Sequence, residues 1–194
     1  MDDSVLAAIA NWHNVPAVYG WLSLTARGEW RLRGEAIGNP AINEFIGRNY
    51  ASDEGGRWFF QNGPQRVFVD LEVAPWVWRV STSDAPREVR AHDGTAARLL
   101  QGAWLDDQGR VFLRTDVGFG LVDSPDTSRV LDALRTGSRH AVTAEDFDAW
   151  LAGHGPRVRV CGGLMGVRGD VELERLRADE APQRFGYVCA PRSE

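Results

Sequence analysis

Two carboxylates stand two residues apart in the run Arg66-Val67-Phe68-Val69-Asp70-Leu71-Glu72. Val67, Val69 and Leu71 alternate with Phe68, Asp70 and Glu72, so the run reads as a strand with both acids on one face. Paired carboxylates can divide acid and base work in a hydrolysis. The same pattern also describes a solvated strand face, with Arg31, Arg33 or Arg66 as neutralising partners. A second group precedes it. Gln61-Asn62-Gly63-Pro64-Gln65-Arg66 gathers amides and an arginine at one hairpin end, where they could orient a small polar ligand. A third is Arg114-Thr115-Asp116-Val117-Gly118-Phe119-Gly120, a strand end entering a Gly-x-Gly loop that could hold an anion through Arg114 and backbone N–H groups. No strand, glycine-rich loop and helix unit surrounds it, so a dinucleotide fingerprint is not supported.

Six of the eight tryptophans lie in the first 78 residues: Trp12, Trp21, Trp30, Trp58, Trp76 and Trp78. Aromatic residues on strands pack a core or pair across strands. They can also line a groove for a ring-bearing or sugar-like ligand. Trp76 and Trp78 share a strand face. If Val77 faces the core, both are exposed and form a patch; if they face the core, they are structural. The candidate ligand-binding set is Trp58, Asn62, Arg66, Arg114 and Asp116, with no catalytic residue assigned.

The composition closes several routes. All 22 basic residues are arginine, which excludes a catalytic lysine, a Schiff base and a P-loop lysine. Cys161 and Cys189 form no C-x-x-C and read as reduced core residues. His13, His92, His140 and His154 are scattered, so no metal site and no cofactor is expected. The net charge is −5, and neither half is basic, so nucleic acid is not expected as a partner. No apolar run approaches the ~18 residues of a membrane span. The chain starts Met1-Asp2-Asp3-Ser4, the wrong sign for a secretory leader, and a cytoplasmic protein without membrane partners is expected.

These residues need elements to hold them. Val5, Ile9 and Trp12 share a face, which predicts a short helix over 4–12 capped by Ser4. Trp21–Leu24 and Glu29–Arg33 flank a Gly28 turn and predict a hairpin. Asn39-Pro40 starts a helix with Ile42, Phe45 and Ile46 on one face. Strands follow at 57–60, 66–72 and 75–80. Asn62-Gly63 signals a hairpin, with Pro64 arguing for a loop longer than two residues. The polar stretch 81–87 marks a domain boundary, giving units 1–83 and 84–194.

The second half echoes the first. Gly102–Leu105, the Asp106–Gly109 turn and Arg110–Arg114 repeat the first hairpin, and Ser124-Pro125 repeats Asn39-Pro40. The offset drifts between 81 and 85, as a degenerate repeat with small insertions would. Thr143-Ala144-Glu145-Asp146 resembles a capping box, with Phe147, Trp150 and Leu151 on one face and Gly153 as the stop. Stretches 157–160, 171–176 and 185–189 read as strands. The fold class is α+β, in two related domains of mostly antiparallel hairpin sheet with a few packed helices.

Four stretches carry a family resemblance: Gly28–Trp30 followed by Pro40, Gly56 through Pro75, Leu113–Gly118, and Arg157–Leu164. Together they resemble an uncharacterised bacterial family, domain of unknown function twelve-eighty-five, or a close sister of it. The resemblance implies two α+β domains built of repeated motifs, no established activity, and a suggested signalling or ligand-binding role. This sequence departs from it by an insertion-like helical stretch near 131–155 and by its lack of lysine.

The sequence thus points to a non-catalytic cytoplasmic binding or regulatory module. Its small-molecule or protein partner would sit between the repeats or on an exposed aromatic patch. The alternatives are a small hydrolase using Asp70, Glu72 or Asp116, and an interaction protein forming a homodimer through Trp76 and Trp78.

Overall fold

A computed structural model describes residues 1–11, 15–81, 87–137 and 139–193. Trp12, expected on the first helix, and residues 82–86 of the expected linker lie outside the described residues. The fold is α+β, with two sheets of six and nine strands.

The first unit comprises Met1–Pro75 and Ala181–Glu194. Its elements are α1 (Asp3–Asn11), β1 (Val18–Leu24), β2 (Trp30–Leu32), β3 (Glu35–Ala36), α2 (Pro40–Arg48), β4 (Tyr50–Ser52), β5 (Trp58–Asn62) and β6 (Gln65–Leu71). Its sheet runs β3-β2-β1-β6-β5-β4. All its neighbours are antiparallel except the central pair, where β1 and β6 run parallel. One face carries Leu22, Leu24, Trp30, Tyr50, Val69 and Leu71, all buried. Phe45 of α2 packs edge-on against Phe60 at 5.4 Å, and Ile46 is buried.

The second unit, Trp76–Glu180, holds β7 (Trp76–Val80), β8 (Val89–Ala91), β9 (Ala96–Ala97), β10 (Leu100–Asp106), β11 (Val111–Thr115) and β12 (Phe119–Val122). A short 3-10 turn at Ser124–Asp126 leads into α3 (Thr127–Asp132). Then come β13 (Leu134–Thr136), α4 (Ala144–Ala152), β14 (Val158–Cys161) and β15 (Asp170–Leu176). Six strands run β12-β11-β10-β15-β14-β13, the first sheet's order with every number advanced by nine. Again the central pair, β10 and β15, is parallel. The sequence repeat is therefore a repeat of topology. The capped helix α4 is inserted between β13 and β14, where the first unit needs only a tight turn. Thr143 and Asp146 form the expected capping box, and Gly153 stops the helix at φ 90°.

Three turns show how local sequence sets these hairpins. Thr25, Asp53 and Asp106 each accept the backbone N–H groups two and four residues on. Gly28, Gly56 and Gly109 then take positive φ of 75°, 73° and 76°, which a side chain resists. Asp53 and Asp106 also pair with Arg57 and Arg110 at 2.8 and 2.7 Å. Asn39 caps α2 by accepting from the Ala41 N–H at 3.0 Å, with Pro40 as the first helical residue.

Several expectations are corrected. Strand pairing, not linker composition, divides the units: β7 pairs with β12 in the second sheet, and the C-terminal residues return to the first unit. The first helix opens at Asp3, because the Asp2 carbonyl accepts from Val5 and Leu6, so Ser4 is not its cap. The loop joining β5 to β6 has two residues, Gly63-Pro64, since Asn62 pairs with Gln65. Gly63 takes φ 55°, and Pro64 sits at the second loop position. Residues 185–189 form no strand. Instead α5 (Ala181–Phe185) forms, with Pro182 in its first turn, where a missing N–H costs nothing.

Trp76 and Trp78 are buried at 8% and 0% exposure, so they do not form an exposed patch or a dimer face. The Trp78 indole N–H donates to the Leu113 carbonyl at 3.0 Å. Gly118 and Gly120 make room for these rings. A Cβ on Gly118 would lie 2.6 Å from Trp76 Nε1, and one on Gly120 would lie 2.7 Å from Trp78 Nε1. Overpacking of this kind costs about 1–3 kcal/mol, or roughly 2–4 °C per kcal/mol in a chain of this size. Gly120→Ala should therefore lower the melting midpoint by several degrees in a thermal scan. Gly38→Ala, with nothing within 4 Å, should leave it almost unmoved.

Candidate functional site

In a parallel pair both carboxyl ends lie on the same side. Beyond β1 the chain turns through 25–28 into β2, on one flank of the pair. Beyond β6 it leaves through Glu72–Pro75. Where such connections diverge, a crevice opens at the strand ends, as at the switch points of open parallel sheets. In the first unit this crevice has a volume of about 660 Å³.

Its floor is a row across three strands. Ser23 on β1 pairs with Arg31 on β2 and with Asp70 on β6. Arg192, from the C-terminal segment, donates to Asp70 Oδ1 at 2.8 Å. The segment is anchored there by Cys189, whose carbonyl accepts from the Leu71 N–H at 2.7 Å. Glu72 accepts from the Ala26 N–H at 2.9 Å and so bridges the two divergent loops. Arg31 reaches Glu29 and the Gly34 carbonyl at 3.5 Å each, both long contacts. Its Nε is shielded from solvent and has no partner among the described residues.

Asp70 is thus neutralised by Arg192 rather than by Arg31, Arg33 or Arg66. The Arg33 guanidinium lies over the Trp21 ring at 3.7 Å, and that of Arg66 lies over Phe59 at 4.7 Å. Cys189 lines the crevice, and burial pushes its thiol up, away from the reactive thiolate. Burial, with the Asp170 charge, does the same to Cys161. Burial pulls His92 down to about 4, Asp93 opposing and Arg79 adding to the fall. Its Nδ1 accepts from the Val77 N–H at 3.4 Å, so the ring is a neutral structural acceptor at pH 7.

The second unit has the corresponding crevice, of about 360 Å³, lined by Asp106, Asp107, Leu151 and Arg175 among others. Asp107 bridges its two loops by accepting from the Ala178 N–H at 3.1 Å. Its floor row is different. Trp104 takes the place of Ser23 and pairs with Phe112 and Glu174. The Trp104 indole lies over Gly102, buried at 6% exposure, and donates to Glu174 Oε2 at 3.0 Å.

The five candidates from the sequence fall in different places. Trp58 packs on Tyr50 at 4.7 Å, in the cluster that includes Trp30. Asn62 and Arg66 do share the hairpin end of β5 and β6, the end of β6 away from the crevice. Arg66 there borders a separate groove with Ile9, Gln61 and Pro64. Arg114 is exposed on β11, and Asp116 follows it in the second unit. Asp116 accepts from the Arg98 and Leu99 N–H groups at 2.9 and 3.0 Å and acts as a loop staple. The amides of Thr115, Asp116 and Val117 are all engaged within the fold, and tryptophans fill the space beside Gly118 and Gly120. These three amides are therefore not free to hold an anion. Ser23, Arg31 and Arg192 stand in no motif. The one sequence signal was the 81-residue offset between Gly28 and Gly109, which aligns Ser23 with Trp104.

Among the described residues, no three His, Cys, Asp or Glu side chains gather as a metal site requires, and no helix is long and apolar enough to cross a membrane. The family model DUF2944, described as "Protein of unknown function (DUF2946)", matches residues 1–192. No curated protein matches the chain. Among solved structures, the chain is similar to a DUF1285 family protein from Silicibacter pomeroyi DSS-3. The identity is 16% and the TM-score 0.45, over 70% of this chain and 86% of that one. It is also similar to a DUF1285 family protein from Shewanella baltica OS155, at 17% identity and a TM-score of 0.42, over 55% and 86%. These solved proteins come from the family named in the sequence resemblance.

Two measurements check the structural roles assigned here. The folded His92 value lies below the unfolded one near 6.5. Unfolded chains then bind the proton first as pH falls, so stability should drop between about 6.5 and 4. Urea midpoints against pH should show this drop, and His92→Asn should flatten it. Burial pushes the Asp116 carboxyl up, but the Arg98 and Leu99 amides together hold it below the ordinary aspartate value. Asp116→Ala should cost about 1 kcal/mol in urea denaturation at pH 7.

Proposed function

The chain belongs to the DUF2944 family of proteins of unknown function, and from the crevice of its first unit we propose that it is a non-catalytic binding module for a small charged molecule. The supporting observation is the contrast between the two crevices. The central residue of the row is Trp104 beside a crevice of about 360 Å³ in the second unit, and Ser23 in a crevice of about 660 Å³ in the first. Its size suits a metabolite, since ligand pockets typically run to about 300–1,000 Å³. Asp70 is paired with Arg192 and Glu72 bridges two loops, which favours binding over acid–base chemistry. The two unpaired, part-buried thiols fit a reducing compartment, and the proposed location is the cytoplasm.

A thermal-shift screen of metabolites and nucleotides, read by tryptophan fluorescence, tests this. A ligand at ~100 Kd that binds only the folded form adds about 2.7 kcal/mol, a shift of several degrees. The shift should vanish in Ser23→Trp, which copies the second unit, and persist in Arg66→Ala and Arg114→Ala. A shift that survives Ser23→Trp and is lost in Arg114→Ala would move the site to the second unit. The absence of any shift across the library would overturn the small-molecule reading.

A further inference from the structure

Resting on that reading, we infer that the crevice takes a small zwitterion, of the free α-amino acid class. Its carboxylate would sit on Arg31 and its ammonium on Asp70, above Ser23. The row sets the polarity. Arg31 and Asp70 stand on the two strands flanking β1, so their Cα atoms are about two strand spacings, or roughly 10 Å, apart. Both side chains line the crevice, and Ser23, the residue between them, is small. A ligand between them meets a cation at one end and an anion at the other within a few atoms.

Each end has unused capacity. Arg31 makes only two long contacts, and its Nε is shielded and without a partner among the described residues. Giving up the long Glu29 contact would let the guanidinium take a ligand carboxylate in parallel hydrogen bonds. Asp70 is engaged by Arg192, whose side chain is 63% exposed, and an exposed pair of this kind is weak and exchangeable. The second unit indicates what its acid accepts. At the position equivalent to Asp70, Glu174 receives an N–H from the central residue of the row, the Trp104 indole. A ligand ammonium over Ser23 would give Asp70 the same kind of donor, with a charge added. Arg192 and the ligand then compete for one carboxylate, so the C-terminal segment moderates the affinity.

The experiment is isothermal titration of the full chain with the twenty common L-amino acids in turn. Succinate and putrescine serve as carboxylate-only and ammonium-only probes. At least one amino acid should bind, with neither control binding comparably. Arg31→Ala and Asp70→Asn should each weaken that binding at least tenfold, and Arg192→Ala should strengthen it several-fold. Circular dichroism of each variant separates lost binding from lost folding. The conservative pair Arg31→Lys and Asp70→Glu should retain part of the affinity, which a merely structural role would not predict. Succinate binding that depends on Arg31 and ignores Asp70 would overturn the zwitterion while leaving a binding crevice in place. Putrescine binding through Asp70 alone would do the same. No binding by any probe would overturn the inference, and the wider library would then decide the module reading by itself.

Discussion

The parallel pairing of β1 with β6, repeated in β10 with β15, is the constraint on which the rest depends. Every other neighbour in the six-strand repeat is antiparallel and could be joined by a short turn. A parallel pair cannot. Its strands must be linked by a crossover, and each unit supplies one by running outward through two hairpin strands, crossing by a helix, and returning through two more. The crossover leaves both carboxyl ends on one side, with connections that part from each other. The crevice is therefore a consequence of the topology, and the repeat makes it twice.

Tryptophan and glycine are coupled in the second unit. Trp104 lies across Gly102, and Trp76 and Trp78 lie against Gly118 and Gly120. A large ring can cross a neighbouring position on a sheet only where that position has no side chain. The glycines that could pass for a flexible ligand loop are thus fixed by packing. Their hydrogen-bonding groups serve the sheet, with the Gly118 carbonyl accepting from Thr115. Trp76, Trp78 and the Gly-x-Gly run are one feature of the core.

What could be read from the sequence follows the range of the interactions. Turns set by a few adjacent atoms were legible: the Asn39-Pro40 start, the Thr143–Asp146 box and the glycine turns at 28 and 109. The repeat was legible because its hairpins recur at a near-constant offset. Illegible were the features decided by distant pairing. Nothing local says that β7 joins the second sheet, or that residues 181–193 return to the first unit. Nothing local brings Arg192 to Asp70, 122 positions away. The local carboxylate pair Asp70 and Glu72 was visible, yet its meaning changed once those partners arrived. Trp58, Asn62, Arg66, Arg114 and Asp116 were chosen for local clustering, and the fold distributes them over two units.

A repeat gives each position an internal control. The bridge between the divergent loops is made in both units, but from opposite sides: Glu72 on the β6 exit bonds to the Ala26 amide, while Asp107 on the β10 turn bonds to the Ala178 amide. The bridge persists although its donor and acceptor change places, which argues that holding the loops together is a requirement of the topology. The floor row behaves differently. Its acid is kept as Asp70 or Glu174, whereas its centre is Ser23 in one unit and Trp104 in the other. A filled centre closes the row with a permanent N–H donor and needs nothing from outside. The Ser23 centre leaves a carboxylate held by an exposed arginine and a guanidinium with a shielded nitrogen that has no partner among the described residues. The acid of each row thus has a donor from its own chain, buried within the row in the second unit and exposed on the C-terminal segment in the first, and that difference leaves the Ser23 row the more accessible of the two.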